Sequence, residues 1–142
     1  MHAVKFDRRL CALVVLFGLE AGLAGCGGSF LGGSSGDGRG AATQFLTELR
    51  EGRLEPAWQG TTSEFKSLMG LENLRDCVKT HPALKGPADY VEARDAARDG
   101  RTMVEHVFRA EGRIRGKPVT STVKVLVAAG DGDWGVEHLR IE

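Results

Sequence analysis

The chain is short of the features that most readily betray a function. It has no apolar run long enough to span a bilayer: the longest candidate, Leu10–Gly18, is followed two residues on by Glu20, whereas a membrane helix needs about 20 mostly apolar residues. Aromatic residues make up only 6%, so the core has to be built from aliphatic side chains. Its three cysteines, Cys11, Cys26 and Cys77, fall in different regions and spell neither a disulfide framework nor a zinc pattern. Lys plus Arg and Asp plus Glu stand at 19 each, which leaves no overall field to attract a nucleic acid or another polyanion. No metal or cofactor motif is present. The glycine-rich stretch after Cys26 is not followed by Gly-Lys-Ser/Thr and has no strand before it, as a phosphate-cradling loop requires.

What is there begins at the amino terminus. Lys5, Arg8 and Arg9 precede the apolar Leu10–Gly18, and small residues follow at Leu23-Ala24-Gly25-Cys26. Basic start, apolar run and cleavage site in that order make a secretory signal, expected over residues 1–25. Its removal takes away Lys5, Arg8 and Arg9 against Asp7 and Glu20, leaving 16 basic and 17 acidic residues. Leu23-Ala24-Gly25-Cys26 resembles the lipobox of bacterial lipoproteins. The resemblance implies that the Cys26 thiol takes a diacylglycerol and becomes the first mature residue, with palmitate among the acyl chains and the membrane as partner through that lipid. Several acyl chains, at about 0.8 kcal/mol per buried methylene, hold far better than one. In lipoproteins of enteric type an aspartate after the cysteine marks inner-membrane retention. By that resemblance Gly27 favours the periplasmic face of the outer membrane.

Residues 26–40 are rich in glycine and serine and bury too little apolar surface to offset chain entropy, so the composition predicts a tether. Its root-mean-square reach is roughly 20 Å.

From Ala41 the pattern changes. Ala42, Phe45, Leu46 and Leu49 follow i, i+3, i+4, i+7 spacing and predict a helix ending near Gly52. Leu54, Ala57 and Trp58 predict a short second helix that tolerates Pro56 near its start. A third is expected from Glu64 to Met69 with Ser63 as its cap, and a fourth places Leu71, Leu74, Cys77 and Val78 on one face before His81-Pro82 stops it. Cys77 then reads as a core residue, because a buried thiol behaves as a small hydrophobe. After Pro87 the period becomes two. Thr102, Val104, His106, Phe108 and Ala110 share one face, and Val119, Ser121, Val123, Val125 and Val127 share a face of the next strand. With turns at Gly112–Gly116 and Gly130-Asp131-Gly132, strands are expected at 101–111, 118–128 and 133–141, with a further one at 88–97. Helices followed by an antiparallel sheet make an α+β domain over residues 41–142: amino-terminal helices packed on a curved antiparallel sheet of three to four strands.

The Phe45-Leu46 helix, the His81-Pro82-Ala83-Leu84 stop and the last strand, Asp133-Trp134-Gly135-Val136 running to Leu139 and Ile141, occur in a familiar order. In that order the domain resembles the nuclear transport factor 2-like, cystatin-like domains found in bacterial lipoproteins. The resemblance implies a cone-like sheet around a cavity, a shape that serves enzymes and binding modules alike. Enzymes of this kind hold an acid or base inside the cone.

His106 is the one imidazole on the inward alternation and is the candidate general base for an isomerase- or dehydratase-like enzyme. Tyr90 and Glu92 are candidates to line the same cavity, whereas Glu105 belongs to the opposite face. His81 fits a helix-capping role, and His138 has no companion ligand. Arg94, Arg98, Arg101, Arg109, Arg113, Arg115 and Lys117 interleave with Glu92, Asp95, Asp99, Glu105 and Glu111, the pattern of solvated strand faces. Trp58 and Trp134 fit core or rim positions. With no catalytic constellation in view, the expectation is a non-catalytic envelope lipoprotein that binds a small apolar ligand or another envelope protein, or pairs with a second copy of itself. No nucleic-acid partner is expected.

Overall fold

A computed structural model describes residues 36–142. The Leu23-Ala24-Gly25-Cys26 motif and most of the expected tether therefore lie outside the described residues. Four helices precede a four-stranded sheet: α1 (Arg39–Arg50), α2 (Leu54–Gln59), α3 (Ser63–Leu68), α4 (Leu71–Thr80), a 3-10 turn at Pro82–Lys85, then β1 (Ala88–Asp95), β2 (Met103–Ile114), β3 (Lys117–Ala129) and β4 (Trp134–Ile141). The fold is α+β, with the sheet antiparallel throughout in the order β1-β2-β3-β4. None of the described helices is long and apolar enough to cross a membrane.

Helix α1 buries Ala42, Phe45, Leu46 and Leu49, the stripe its spacing predicts, but it begins at Arg39, within the stretch expected to be tether. In α2, Pro56 sits in the first turn, where its missing N–H has no helical acceptor to lose. The cap of α3 is Thr62 rather than Ser63: its Oγ1 accepts from the Phe65 amide at 3.2 Å, while the Ser63 hydroxyl turns to Glu64 at 3.0 Å. Both residues can cap. Thr62 takes the role because its backbone is extended and already hydrogen-bonded to the Val136 carbonyl at 2.9 Å, which fixes where the chain turns into helix. Helix α4 buries Leu74 and Val78 and stops before Pro82.

The sheet register matches the alternation in the sequence. Val104 opposes Val127, His106 opposes Val125, Phe108 opposes Val123 and Ala110 opposes Ser121. The face they share meets the helices: Phe108, Ala110, Val123, Val125, Val127, Val136 and Leu139 join Phe45, Leu49, Phe65, Leu74 and Val78 in one core. Phe45 and Phe65 pack edge to face with centroids 5.8 Å apart. Each large apolar side chain so enclosed contributes about 1.5–3 kcal/mol. Every residue of this core lies between Ala42 and Leu139.

Two departures shape the surface. The β2–β3 connection is not a five-residue turn over Gly112–Gly116. The strands run on to Ile114 and Lys117, joined by Arg115 and Gly116 alone. Gly112 stays in the strand because the 3-10 turn lies against it: a Cβ there would fall 2.6 Å from Pro82 and Ala83 backbone atoms. Along β1, a bulge at Val91 shifts the register between Tyr90 and Glu92.

Candidate functional site

His106 is fully buried on the inner face of β2, where cross-strand neighbours Ala93 and Val125 hold it. Its Nε2 lies 2.9 Å from the Asp37 carbonyl oxygen. A carbonyl only accepts, so Nε2 carries the hydrogen and donates. Nδ1 is buried with no hydrogen-bond partner among the described residues. An unmet buried polar atom costs about 1–3 kcal/mol, and the surrounding packing has to outweigh that.

The segment that closes over the ring is the entry to α1. Asp37 Oδ1 accepts from the Arg39 amide at 3.1 Å, which turns the chain. Gly38 adopts φ 73°, and a Cβ at that position would lie 2.6 Å from the Trp134 ring and 2.8 Å from Val127. Only glycine fits that conformation in that space. The Arg39 guanidinium then lies 3.6 Å from the centroid of the Tyr90 ring. Tyr90 in turn stands 6.0 Å from the His106 ring and 5.6 Å from Phe108. Residues 37–39 thus form a strap fastened at Tyr90, His106 and Trp134.

The structure brings Tyr90 to His106 but not Glu92. Because of the bulge, Tyr90 opposes Phe108 on the inner face while Glu92 opposes Val107 on the outer one, where it meets the Arg94 guanidinium. Sequence alternation places the two together only if Val91 is a regular strand residue. Glu105 lies on the outer face, as expected, opposite Leu126. His106 lines neither of two open concavities on the described surface. One, about 530 Å³, runs over the outer face between Leu68, Arg101, Glu105, Leu126 and His138. The other, about 590 Å³, lies at the foot of the β2–β3 hairpin beside Pro82, Lys85, Glu111, Arg113 and Pro118. With the strap in place no substrate reaches the imidazole, so a general-base role would require the strap to leave.

Sequence reasoning missed the strap itself. Asp37-Gly38 is a turn signal, but it lies in a glycine-rich stretch whose composition argued for a tether. It also missed a thiol and imidazole one helical turn apart. Cys77 Sγ lies 3.7 Å from His81 Nδ1, and that nitrogen donates to the Cys77 carbonyl at 2.9 Å, capping α4. Cys77 is half-buried at the margin of the core rather than within it, and burial pushes its thiol pKa up. A nitrogen already donating to a carbonyl cannot take the thiol's proton, so the pair is not an activated nucleophile.

Trp58 donates from Nε1 to the Met69 carbonyl at 2.9 Å, and Trp134 packs at the rim. Arg101 grips Glu137 through two bonds, of 2.8 and 3.2 Å, which holds the guanidinium pKa up. No group of three or more metal-ligating side chains comes together among the described residues. No protein-family model matches the chain, and neither a curated protein nor a solved structure does.

Proposed function

We propose that the protein is a bacterial envelope lipoprotein, anchored by lipid on Cys26, whose folded domain is a non-catalytic binding or assembly module of the nuclear transport factor 2-like kind. The anchoring rests on the order of charges, apolar run and Leu23-Ala24-Gly25-Cys26. What supports the non-catalytic half is one observation: the inner face is filled by the chain's own helices and strap, with His106 at 0% exposure and its Nε2 held by Asp37. A domain that occupies its own concave face meets partners with its exterior. An envelope macromolecule therefore suits it better than a small apolar ligand held inside.

Labelling cells with palmitate tests the anchoring. The native chain takes up label and fractionates with membranes, and Cys26→Ser removes both. Label that persists in Cys26→Ser, or never enters the native chain, overturns the reading.

A further inference from the structure

The outermost part of the β2–β3 hairpin carries positive charge that the rest of the fold does not neutralise. Arg113, Arg115 and Lys117 stand at its tip, and Lys85 and Glu111 flank the concavity at its foot. Four cations against one carboxylate leave three net positive charges in a chain whose formal net charge is zero. Several cations elsewhere find partners, Arg53 with Glu51, Arg75 with Glu72, Arg94 with Glu92, Arg101 with Glu137 and Lys124 with Glu142, while Arg50, Arg109 and Arg140 stand apart from one another without an ion pair among the described residues. Lys85, Arg113, Arg115 and Lys117 make no ion pair and no side-chain hydrogen bond among the described residues.

Two further features mark the same tip. Ile114 is 49% exposed, one of three large apolar residues so placed among the described residues. Arg115 sits at φ 50° and Gly116 at φ 79°, the backbone of a two-residue turn with both central residues left-handed. Asparagine or aspartate is the ordinary first residue of such a turn, and arginine there is strained. From Arg113 to Thr120 no residue is buried, so the tip projects beyond the core.

We infer that this hairpin tip docks on an anionic lipid bilayer, with Arg113, Arg115, Lys117 and Lys85 against the headgroups and Ile114 entering the interface. The charge is complementary to such a surface, and a projecting basic loop with one apolar side chain at its apex suits a plane rather than a pocket. The inference rests on the envelope reading above for the presence of a membrane. On that reading residues 27–36 separate Cys26 from the strap, and a fully extended segment of that length spans at most about 35 Å. His106, under the strap, is only about 27 Å from Ile114 along β2, so anchor and tip can reach one surface together.

The test uses the chain from Gly27 onward, which holds the entire core and has neither leader nor lipid, with sedimentation against vesicles of phosphatidylcholine alone or with phosphatidylglycerol. Binding is expected only to the anionic vesicles and is expected to weaken with salt. At about 1 kcal/mol per cation near the surface, replacing Arg113, Arg115 and Lys117 together by Ala weakens binding roughly 100-fold. Ile114→Ser weakens it without changing the salt dependence. Arg115→Asn, which suits the turn, keeps the fold and still binds several-fold less. Equal binding to both vesicles, no binding by the native chain, or undiminished binding by the folded triple variant overturns the inference. So does tighter binding to heparin than to the anionic vesicles, which would make the tip a site for another polyanion. Palmitate labelling reports on Cys26 alone, so failure of the lipid anchor and failure of the hairpin are separate results.

Discussion

His106 donates from Nε2 to the carbonyl oxygen of Asp37, 69 residues earlier, and so ties the entry of α1 to the centre of the sheet. One hydrogen bond joins the first described turn to the inner face of β2. The imidazole is better placed to hold the chain together than to move protons for a substrate, and that assignment has measurable consequences.

Replacing His106 with Ala removes a fully buried ring and its hydrogen bond to the Asp37 carbonyl. Lost packing and the lost hydrogen bond together predict a loss of about 2–4 kcal/mol. His106→Gln places an amide N–H near the Nε2 position and should recover part of the loss. Urea unfolding of the three proteins decides. If His106→Ala is as stable as the native chain, the strap is not held by this bond.

Gly38→Ala meets two obstacles at once, a left-handed φ of 73° and a Cβ 2.6 Å from the Trp134 ring. A loss of about 1–3 kcal/mol is expected. Gly36 has open space where a Cβ would stand, with nothing within 4 Å, so Gly36→Ala serves as the control with no measurable change. Thermal melts compare them directly, since 1 kcal/mol shifts the midpoint of a domain this size by about 4–8 °C.

The helices and the β2–β3 register were legible because each rests on a period repeated over several residues. Ala42, Phe45, Leu46 and Leu49 agree with one another, and so do Val123, Val125 and Val127 with their partners. The bulge at Val91 and the strap at Asp37-Gly38-Arg39 were not legible, since each depends on a single residue's fit to a surface assembled from distant parts of the chain. Val91 looks like any strand valine until β2 is beside it. Gly38 looks like any tether glycine until Trp134 and Val127 close around it. The candidate site depended on both, which is why alternation alone joined Glu92 to His106 wrongly.

Cys77 should react slowly with thiol reagents near neutral pH. The thiolate is the nucleophile, and burial raises the thiol's pKa above the usual value of about 8.5. Alkylation of the chain from Gly27 onward, in which Cys77 is the single cysteine, should accelerate with a midpoint above that of glutathione-like small thiols. Because the folded pKa is raised, stability is untouched below the unfolded thiol's pKa and falls as pH rises through the window above it. A midpoint at or below about 8.5 would mean that His81 activates the thiol after all.

Toward acid, the Glu142 carboxyl is held below its ordinary range, first by its hydrogen bond from Lys124 at 2.6 Å. A depressed folded pKa gives stability that is present above the unfolded carboxyl's pKa and is lost as pH falls through the folded value. Glu64 is lowered as well, chiefly by a backbone hydrogen bond, and acts in the same direction. Glu142→Gln should therefore flatten the decline in stability from about pH 5 downward, with little change at about pH 7 in high salt, where an exposed pair is screened. Urea midpoints measured from neutral pH down to about pH 3 show whether the variant's acid limb is shallower.

Arg115→Asn should stabilise the isolated domain. At φ 50° an arginine holds a left-handed backbone that asparagine adopts with less strain, and the side chain makes no ion pair among the described residues. A gain of about 0.5–1 kcal/mol is expected, a rise of a few degrees in the melting midpoint. An exposed arginine that costs stability and makes no ion pair among the described residues leaves its charge available to a surface outside the domain, in keeping with a hairpin set against a lipid surface. If Arg115→Asn melts at or below the native temperature, the turn is not strained, and only the unpartnered charge and Ile114 still mark the tip for docking.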